Sequence, residues 1–242
     1  ALLSKFLKIA RMAASFAGNI ELEKKYAEEL EKTKSLFKEN FIDSEGRCTV
    51  NDQTAVAMAI YYQLYDELEP LKNQLKKLIE DNNFHHSCGM VGLRHLFIAL
   101  NVCGLEEYAY KIITAEGYPS FTEWLKNGAT TLWETWEMDA SKNHHMYSDF
   151  MSWIMKTLVG IDICEDTPAY EKVFIKPVFL PQIDFCRGYI ETPKGKIAVS
   201  WKREGYAVRL EVTVPQDISA ICKYGTLHEG SNIIMVPKQG SQ

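Results

Sequence analysis

The chain has 242 residues, of which 46% are hydrophobic and 24% are charged, and its formal net charge is −5. This composition is typical of a globular protein with enough apolar side chains to form one large core or two modest ones. The negative net charge and the lack of a basic stripe in the sequence argue against nucleic acid as a partner. No apolar run in the sequence approaches the roughly 20 residues that span a bilayer, so a membrane partner is not expected either.

The first part of the chain carries a helical pattern. Apolar residues recur at intervals of three and four over residues 2–17 and 20–40, and Gly18 with Asn19 separates these two helices. Further helices are expected, among them one over residues 51–66 capped by Asn51 and Asp52, a short one over residues 120–126, and a last one over residues 143–159 that Gly160 ends. This gives about seven helices, joined by short turns and paired as hairpins.

From Tyr170 onward the pattern changes to β-branched and aromatic residues, most of them in alternation with polar ones. The expected strands cover residues 172–177, 185–191, 196–201, 207–214, 219–223 and 233–236. Short turns separate them, at a spacing typical of a sandwich. The sequence therefore predicts a mainly α fold with an all-β tail: a helical domain over residues 1–169 and a small antiparallel β-sandwich over residues 170–242. For the second domain a packing role is favoured over a sugar-binding role.

Cysteine and histidine spacing indicates neither a metal nor a cofactor. The six cysteines are widely separated and include no Cys-x-x-Cys pair, so we expect free thiols packed as small hydrophobes. Two histidine pairs, at residues 85–86 and 144–145, are unsuited to one ion, because neighbours on a helix point about 100° apart. Free thiols suit a reducing interior, but the sequence leaves the compartment open between the cytoplasm and the periplasm or exterior.

The most informative motif lies at residues 127–137, where Glu134 stands between Trp133 and Trp136. Aromatic faces provide apolar platforms for the C–H faces of a pyranose. A carboxylate held among them has the poised pKa that glycosidic acid–base chemistry uses. A packed helix face beside a solvated one would show the same spacing. The motif by itself leaves both interpretations open.

Several short motifs follow one another in order along nearly the whole chain. They are Asp52–Ala55, Gly89–Gly92, Tyr118–Ser120, Gly128–Trp136, Ser141–His144, Trp153, Gly160-Ile161, Thr192–Ile197 and Trp201. Each motif is weak alone, but their collinear order is specific. In this order the chain resembles the carboxyl-terminal part of the bacterial α-L-rhamnosidases of glycoside hydrolase family seventy-eight.

The resemblance implies an (α/α)6 barrel followed by a β-sandwich, and inverting hydrolysis of terminal α-L-rhamnose from glycosides. Inversion uses a general acid and a general base, with carboxyl groups roughly 6.5 to 9.5 Å apart. Glu134 matches the family's general base, and His144 matches a residue that hydrogen bonds sugar hydroxyls. Trp133, Trp136 and Asn143 are expected to line the same pocket, with an L-rhamnoside as the carbohydrate substrate.

The chain also departs from the family pattern. It supplies about seven helices where the barrel needs twelve, and the segment that carries the family's general acid is not found. Phe121 stands where the family has tryptophan, and only nine residues separate Glu134 from His144. Glu137 would be about 5 to 6 Å from Glu134 on a helix, nearer the retaining spacing, and is expected to be a surface or hydrogen-bonded carboxylate.

We therefore expect part of an enzyme, the α-L-rhamnosidase, that is nearly inactive as this chain alone. The alternatives are a non-catalytic helical scaffold or sugar-binding fragment, and a related six-hairpin glycosidase acting on another sugar. Helix faces left uncovered in a partial barrel favour a homodimer. The position of Glu134 distinguishes the enzyme from the scaffold, because catalysis needs this side chain in a concave pocket near His144, whereas a scaffold could point it to solvent.

Overall fold

The computed structural model describes residues 1–164, 167 and 169–237. The chain divides into two compact units between Asp149 and Phe150. The boundary predicted between residues 169 and 170 stays a prediction. In the described part of the chain, no helix has both the length and the apolar character needed to cross a bilayer.

The first unit is built from helices joined by short loops. The seven that come first among the described residues are α1 (Leu2–Phe16), α2 (Ile20–Phe41), α3 (Gln53–Tyr61), α4 (Leu68–Glu80), α5 (Met90–Val102), α6 (Glu106–Ile113) and α7 (Phe121–Lys126). Helix α1 packs on α2, and α3 packs on both α4 and α5. The core is formed by fully buried aliphatic side chains such as Ile60, Leu75 and Leu96.

Side-chain caps set where two of these helices begin. The Asn19 side chain accepts a hydrogen bond from the Leu22 N–H at 3.0 Å, and the Asp52 side chain accepts one from the Ala55 N–H at 2.7 Å. Each cap satisfies an amide that has no partner inside its helix. These short-range bonds explain why the starts of α2 and α3 were predictable from the sequence.

The helix predicted over residues 143–159 begins later than expected. Helix α8 covers Asp149–Trp153 and continues as a π-helix over Ile154–Val159. The backbone N–H of His144 donates to the Leu132 carbonyl rather than to a carbonyl four residues earlier, so His144 is paired with another segment and is not helical. Gly160 ends the segment in the left-handed region, as predicted.

The second unit contains two sheets. Its strands are β1 (Ile161–Ile163), β2 (Lys172–Ile175), β3 (Phe185–Thr192), β4 (Gly195–Glu204), β5 (Ala207–Val214), β6 (Ser219–Cys222) and β7 (Gly230–Pro237). One sheet has the order β1-β2-β6, and the other has the order β3-β4-β5-β7. Neighbouring strands are antiparallel except for β2 and β6, which are parallel.

Alternating side chains of the two sheets share one core. Val173 and Ile175 of β2 belong to the same buried cluster as Val199, Trp201 and Leu210 of the four-stranded sheet. The indole N–H of Trp201 donates to the Leu158 carbonyl at 2.6 Å, which satisfies this buried donor. The predicted order of a helical region and a β-sandwich is confirmed. Strand β1 was not predicted, because three residues are too few to show a period.

Candidate functional site

The two tryptophans of the motif rest on a buried aromatic cluster. Helix α7 begins at Ser120, whose hydroxyl accepts a hydrogen bond from the Glu123 N–H, and the helix buries Trp124. The Trp136 ring stacks on Trp124 with a centroid distance of 4.1 Å and an interplanar angle of 17°. Trp133 lies 6.2 Å from the same ring. Helix α7 therefore provides the base on which the motif packs.

Two residues from outside the motif complete this aromatic cluster. The rings of His86 and Tyr147 lie 5.0 and 4.8 Å from Trp136, between centroids. The Trp136 indole also hydrogen bonds to the Tyr147 hydroxyl. Burial lowers the pKa of His86 to about 4, so its ring is neutral near pH 7. Its Nδ1 lies 3.2 Å from the Cys88 carbonyl oxygen.

The motif itself forms an irregular hairpin over residues 131–144. The His144 N–H donates to the Leu132 carbonyl at 2.8 Å, and the Glu134 N–H donates to the Ser141 carbonyl at 2.9 Å. Two short segments therefore run side by side. This pairing brings Glu134 next to His144, although nine residues separate them in the sequence.

A tight turn closes the hairpin. Met138 has a φ of +65°, in the left-handed region, and its N–H donates to the Thr135 carbonyl. The Thr135 hydroxyl donates to the Asp139 carboxylate at 2.8 Å. These contacts reverse the direction of the chain between Thr135 and Asp139.

Glu134 and His144 form the centre of the candidate site. The Glu134 Oε2 atom lies 3.7 Å from His144 Nδ1, and the two side chains are 38% and 37% exposed. The Ser141 N–H donates to the same Oε2 at 3.2 Å. One carboxylate oxygen is thus held by the hairpin backbone, and the group still reaches solvent. Such a carboxylate is free to take a proton from a water molecule.

The other predicted binding residues have different surroundings. Trp133 is only 4% exposed, and the Lys142 ammonium lies 4.7 Å from its ring centroid. Asn143 is exposed, and its N–H donates to the Ser141 hydroxyl at 3.3 Å. Trp133 therefore packs beneath the hairpin, whereas Asn143 lies on its surface. Their roles in sugar binding stay predictions.

Nearby acidic side chains have partners of their own. The Tyr118 hydroxyl donates to the exposed Glu137 at 2.8 Å, and this bond raises the pKa of Tyr118. Asp149 begins α8, and burial raises its pKa. Among the described residues, no group of three or more His, Cys, Asp or Glu side chains is arranged to hold a metal ion.

Sequence reasoning missed the residues that support the site. The contributions of His86, Trp124 and Tyr147, and the Ser141 backbone donor, arise from contacts between separate segments. Trp124 on a short predicted helix was the one available signal, since a tryptophan there needs a packing surface.

Comparison with known proteins places the chain in a family. Residues 1–158 match the family model of the bacterial alpha-L-rhamnosidase 6 hairpin glycosidase domain. Residues 160–227 match that of the bacterial alpha-L-rhamnosidase C-terminal domain. An alpha-L-rhamnosidase of Alteromonas sp. (strain LOR) is 28% identical over 238 residues, which are 91% of this chain and 25% of that protein. One from Formosa agariphila is 30% identical over 178 residues, which are 69% of this chain and 19% of that protein.

Solved structures show the same fold. The alpha-L-rhamnosidase of Aspergillus terreus has a TM-score of 0.89 and 20% identity, covering 97% of this chain and 29% of that chain. The Streptomyces avermitilis enzyme complexed with L-rhamnose has a TM-score of 0.85 and 19% identity, covering 97% of this chain and 25% of that chain. The chain thus spans about a quarter of the length of its relatives. With matching family models along most of its length, the chain belongs to the bacterial α-L-rhamnosidase six-hairpin glycosidase family.

Proposed function

We propose that this chain is the carboxyl-terminal part of an inverting α-L-rhamnosidase and that Glu134 is its general base. The whole enzyme would remove terminal α-L-rhamnose from glycosides. Support comes from the family membership and from the names of the relatives, which are alpha-L-rhamnosidases. The single observation that carries the site is the closeness of Glu134 and His144 on a solvent-accessible hairpin.

In this mechanism Glu134 takes a proton from the water that attacks the anomeric carbon. The Ser141 N–H holds Oε2, and we assign the proton transfer from the water to Oε1. Fixing the carboxylate in this way reduces the reorientation needed in the transition state. The attacking water lies between the base and the face of the sugar ring opposite the leaving group. A second carboxyl group must protonate the departing oxygen, and a distance of roughly 6.5 to 9.5 Å between the two carboxyl groups leaves room for the water.

We propose that the second carboxyl group, the general acid, comes from outside this chain. Glu137 is exposed and bound to Tyr118, and Asp139 is bound to Thr135 within the turn. Each of these carboxylates already has a structural partner beside the site. The chain alone would therefore bind sugar but turn it over very slowly.

The remaining predicted residues position the sugar. His144 has an imidazole nitrogen beside the carboxylate, which suits a hydrogen bond to a sugar hydroxyl. Asn143 offers an exposed amide next to it. Trp136 is partly exposed and offers an apolar edge, and Trp133 supports the hairpin from below. Together these side chains would form one half of a rhamnose pocket.

The proposal is tested by calorimetric titration of L-rhamnose into the intact chain and two variants. Glu134→Ala should weaken binding by at least about tenfold, since a hydrogen bond to a charged group contributes roughly 1.5 to 3 kcal/mol. Glu137→Ala is the matched control and should change binding less than about twofold. Equal binding by all three proteins, or no heat from any of them, would contradict a Glu134 pocket in this chain.

A second assay tests the missing acid. The intact chain should hydrolyse an aryl rhamnoside barely faster than buffer does. Clear turnover that Glu134→Gln abolishes would show that the chain contains its own general acid, and this part of the proposal would be wrong. Turnover of an aryl glucoside but not of the rhamnoside would instead favour a related six-hairpin glycosidase acting on another sugar.

A homodimer is a second candidate property, favoured by one observation on α1. Leu2, Phe6, Ile9 and Phe16 follow a helical spacing, and all four are more than half exposed. An apolar stripe of this kind favours association with another apolar surface. Sedimentation over a range of concentrations should show a dimer that Ile9→Glu disrupts. The exposed Leu125, changed to Glu, is the control that should leave the dimer intact.

A further inference from the structure

The outer face of the four-stranded sheet contains a trough. Side chains of β4 and β5 that point inward are almost fully buried, so their neighbours along each strand form the opposite face. On that face a cavity of about 690 Å³ is lined by residues that include Arg187, Tyr189, Ser200, Glu211, Thr213 and Ser231. A second cavity of about 390 Å³ shares three of these residues and adds Phe185 and Lys202. We call the two cavities together the outer trough.

Two aromatic rings stand over a floor of small side chains. Phe185 and Tyr189 are 63% and 57% exposed and lie four positions apart on β3. At strand spacing they are roughly 13 Å apart, the span of an oligosaccharide rather than of a single ring. Their partners across the strand pair are Lys202 and Ala198. Arg187 lies between the two rings on the same face of β3, and the short Ala198 and Ser200 side chains of β4 leave the surface beside it open.

Two cations of the trough, Arg187 and Lys202, take no part in the ion pairs that the described residues form in and beside it. Glu191 accepts from Lys196 at 3.2 Å, and Arg209 lies 2.5 Å from Glu211. Within the described part of the chain, no carboxylate pairs with Arg187 or Lys202.

The two unpaired cations are near neighbours. Arg187 is opposite Ser200 in the strand register, and Lys202 follows two residues later on the same face of β4. Glu204, two residues further along β4, is the negative charge closest to them in that strand. Arg187 and Lys202 together outnumber this one carboxylate, so the trough favours an anionic ligand.

We propose that the outer trough binds an acidic oligosaccharide. A sugar carboxylate would lie between Arg187 and Lys202, where a guanidinium donates charge-assisted hydrogen bonds. The apolar faces of the sugar rings would pack on Phe185 and on the face of Tyr189 opposite the Lys196 ammonium, which lies 4.2 Å from the Tyr189 ring centroid. The Ser200 and Thr213 hydroxyls would bond to ring hydroxyls. None of the residues that line the trough belongs to the candidate site around Glu134, and the proposal goes beyond the proposed hydrolysis.

The experiment is calorimetric titration of a short oligogalacturonate into the intact chain, at low and high salt. The carboxyl-reduced form of the same oligosaccharide is the neutral probe. We expect binding of the acidic probe that weakens at least fivefold at high salt, and at least tenfold weaker binding of the neutral probe. The absence of binding, or equal binding of both probes, would overturn the proposal.

Variants locate the site. Arg187→Gln should weaken binding of the acidic probe about tenfold, and Tyr189→Ala about fivefold. Lys223→Gln, an exposed cation just after β6 in the other sheet, should leave binding within twofold. Unchanged binding by Arg187→Gln would overturn the proposal, as would a dimer that forms through this face and is lost in Tyr189→Ala. Rhamnose binding by the same variants should be unchanged, which separates this test from that of Glu134.

Discussion

Lowering the pH should destabilise the aromatic cluster beneath Glu134 through His86. Burial lowers the pKa of His86 from 6.5 to about 4, so the folded chain holds this ring neutral. The unfolded chain binds a proton below pH 6.5, and the free energy of unfolding therefore falls as the pH drops below that value. Each pH unit costs about 1.4 kcal/mol, which gives about 2 kcal/mol at pH 5 and about 3 kcal/mol at pH 4.

The assay is urea unfolding at pH 7.5 and pH 5, followed by tryptophan fluorescence. The wild-type chain should lose about 2 kcal/mol more than His86→Phe between these two values, because phenylalanine has no proton to bind. Contributions of other groups, such as His95 whose pKa is also lowered by burial, are common to both proteins and cancel. His145→Gln removes an exposed histidine and is the control, which should lose as much stability between the two pH values as the wild type.

Equal losses in the wild type and in His86→Phe would show that the folded chain does not hold His86 neutral. If His86→Phe does not fold, His86→Leu offers the same comparison with a smaller side chain. Protonation of His86 should also affect the candidate site, because the His86 ring centroid lies 5.0 Å from that of Trp136, which supports the hairpin. A protonated His86 would weaken that support, so L-rhamnose binding should decline as the pH falls through about 4, the pKa of His86 in the folded chain.

Two further predictions concern packing. Gly160→Ala should cost roughly 3 kcal/mol or more in urea unfolding, because its φ is +83° and a Cβ would lie 2.2 Å from the Pro177 nitrogen. Gly205→Ala has a positive φ but open space and should cost only about 1 kcal/mol, so similar losses at both positions would contradict the steric argument. Burial raises the pKa of Cys88 and of Cys103 to about 11. At pH 8 both thiols should react with Ellman's reagent at least roughly 100-fold more slowly than in urea, and fast reaction in the folded chain would show that they are accessible.

Local patterns predicted most of the elements. The starts of α2 and α3 depend on Asn19 and Asp52, which bond to amides three residues away. Strand β5 was predicted with its observed bounds because its buried and exposed residues alternate without interruption. Signals of this kind lie within a few residues of each other, so they are visible in the sequence.

The hairpin at residues 131–144 could not be predicted from such local signals. The helical period continues through residues 143–148, but the His144 N–H bonds to the Leu132 carbonyl, and the helix starts only at Asp149. The hydrogen-bond pairing of two segments overrides the local preference. Periodicity contains no information about which distant segment a residue pairs with.

Local sequence patterns specified the order of a helical region and a β-sandwich, and the collinear motifs specified the family and Glu134 as the residue to test. Packing between separate segments, which those patterns do not encode, buries Trp133, stacks Trp136 on Trp124, and brings Glu134 beside His144. The physical reason is that propensity and hydrophobic period act over a few residues. Burial, ring stacking and the approach of a carboxylate to an imidazole depend on how separate segments pack together.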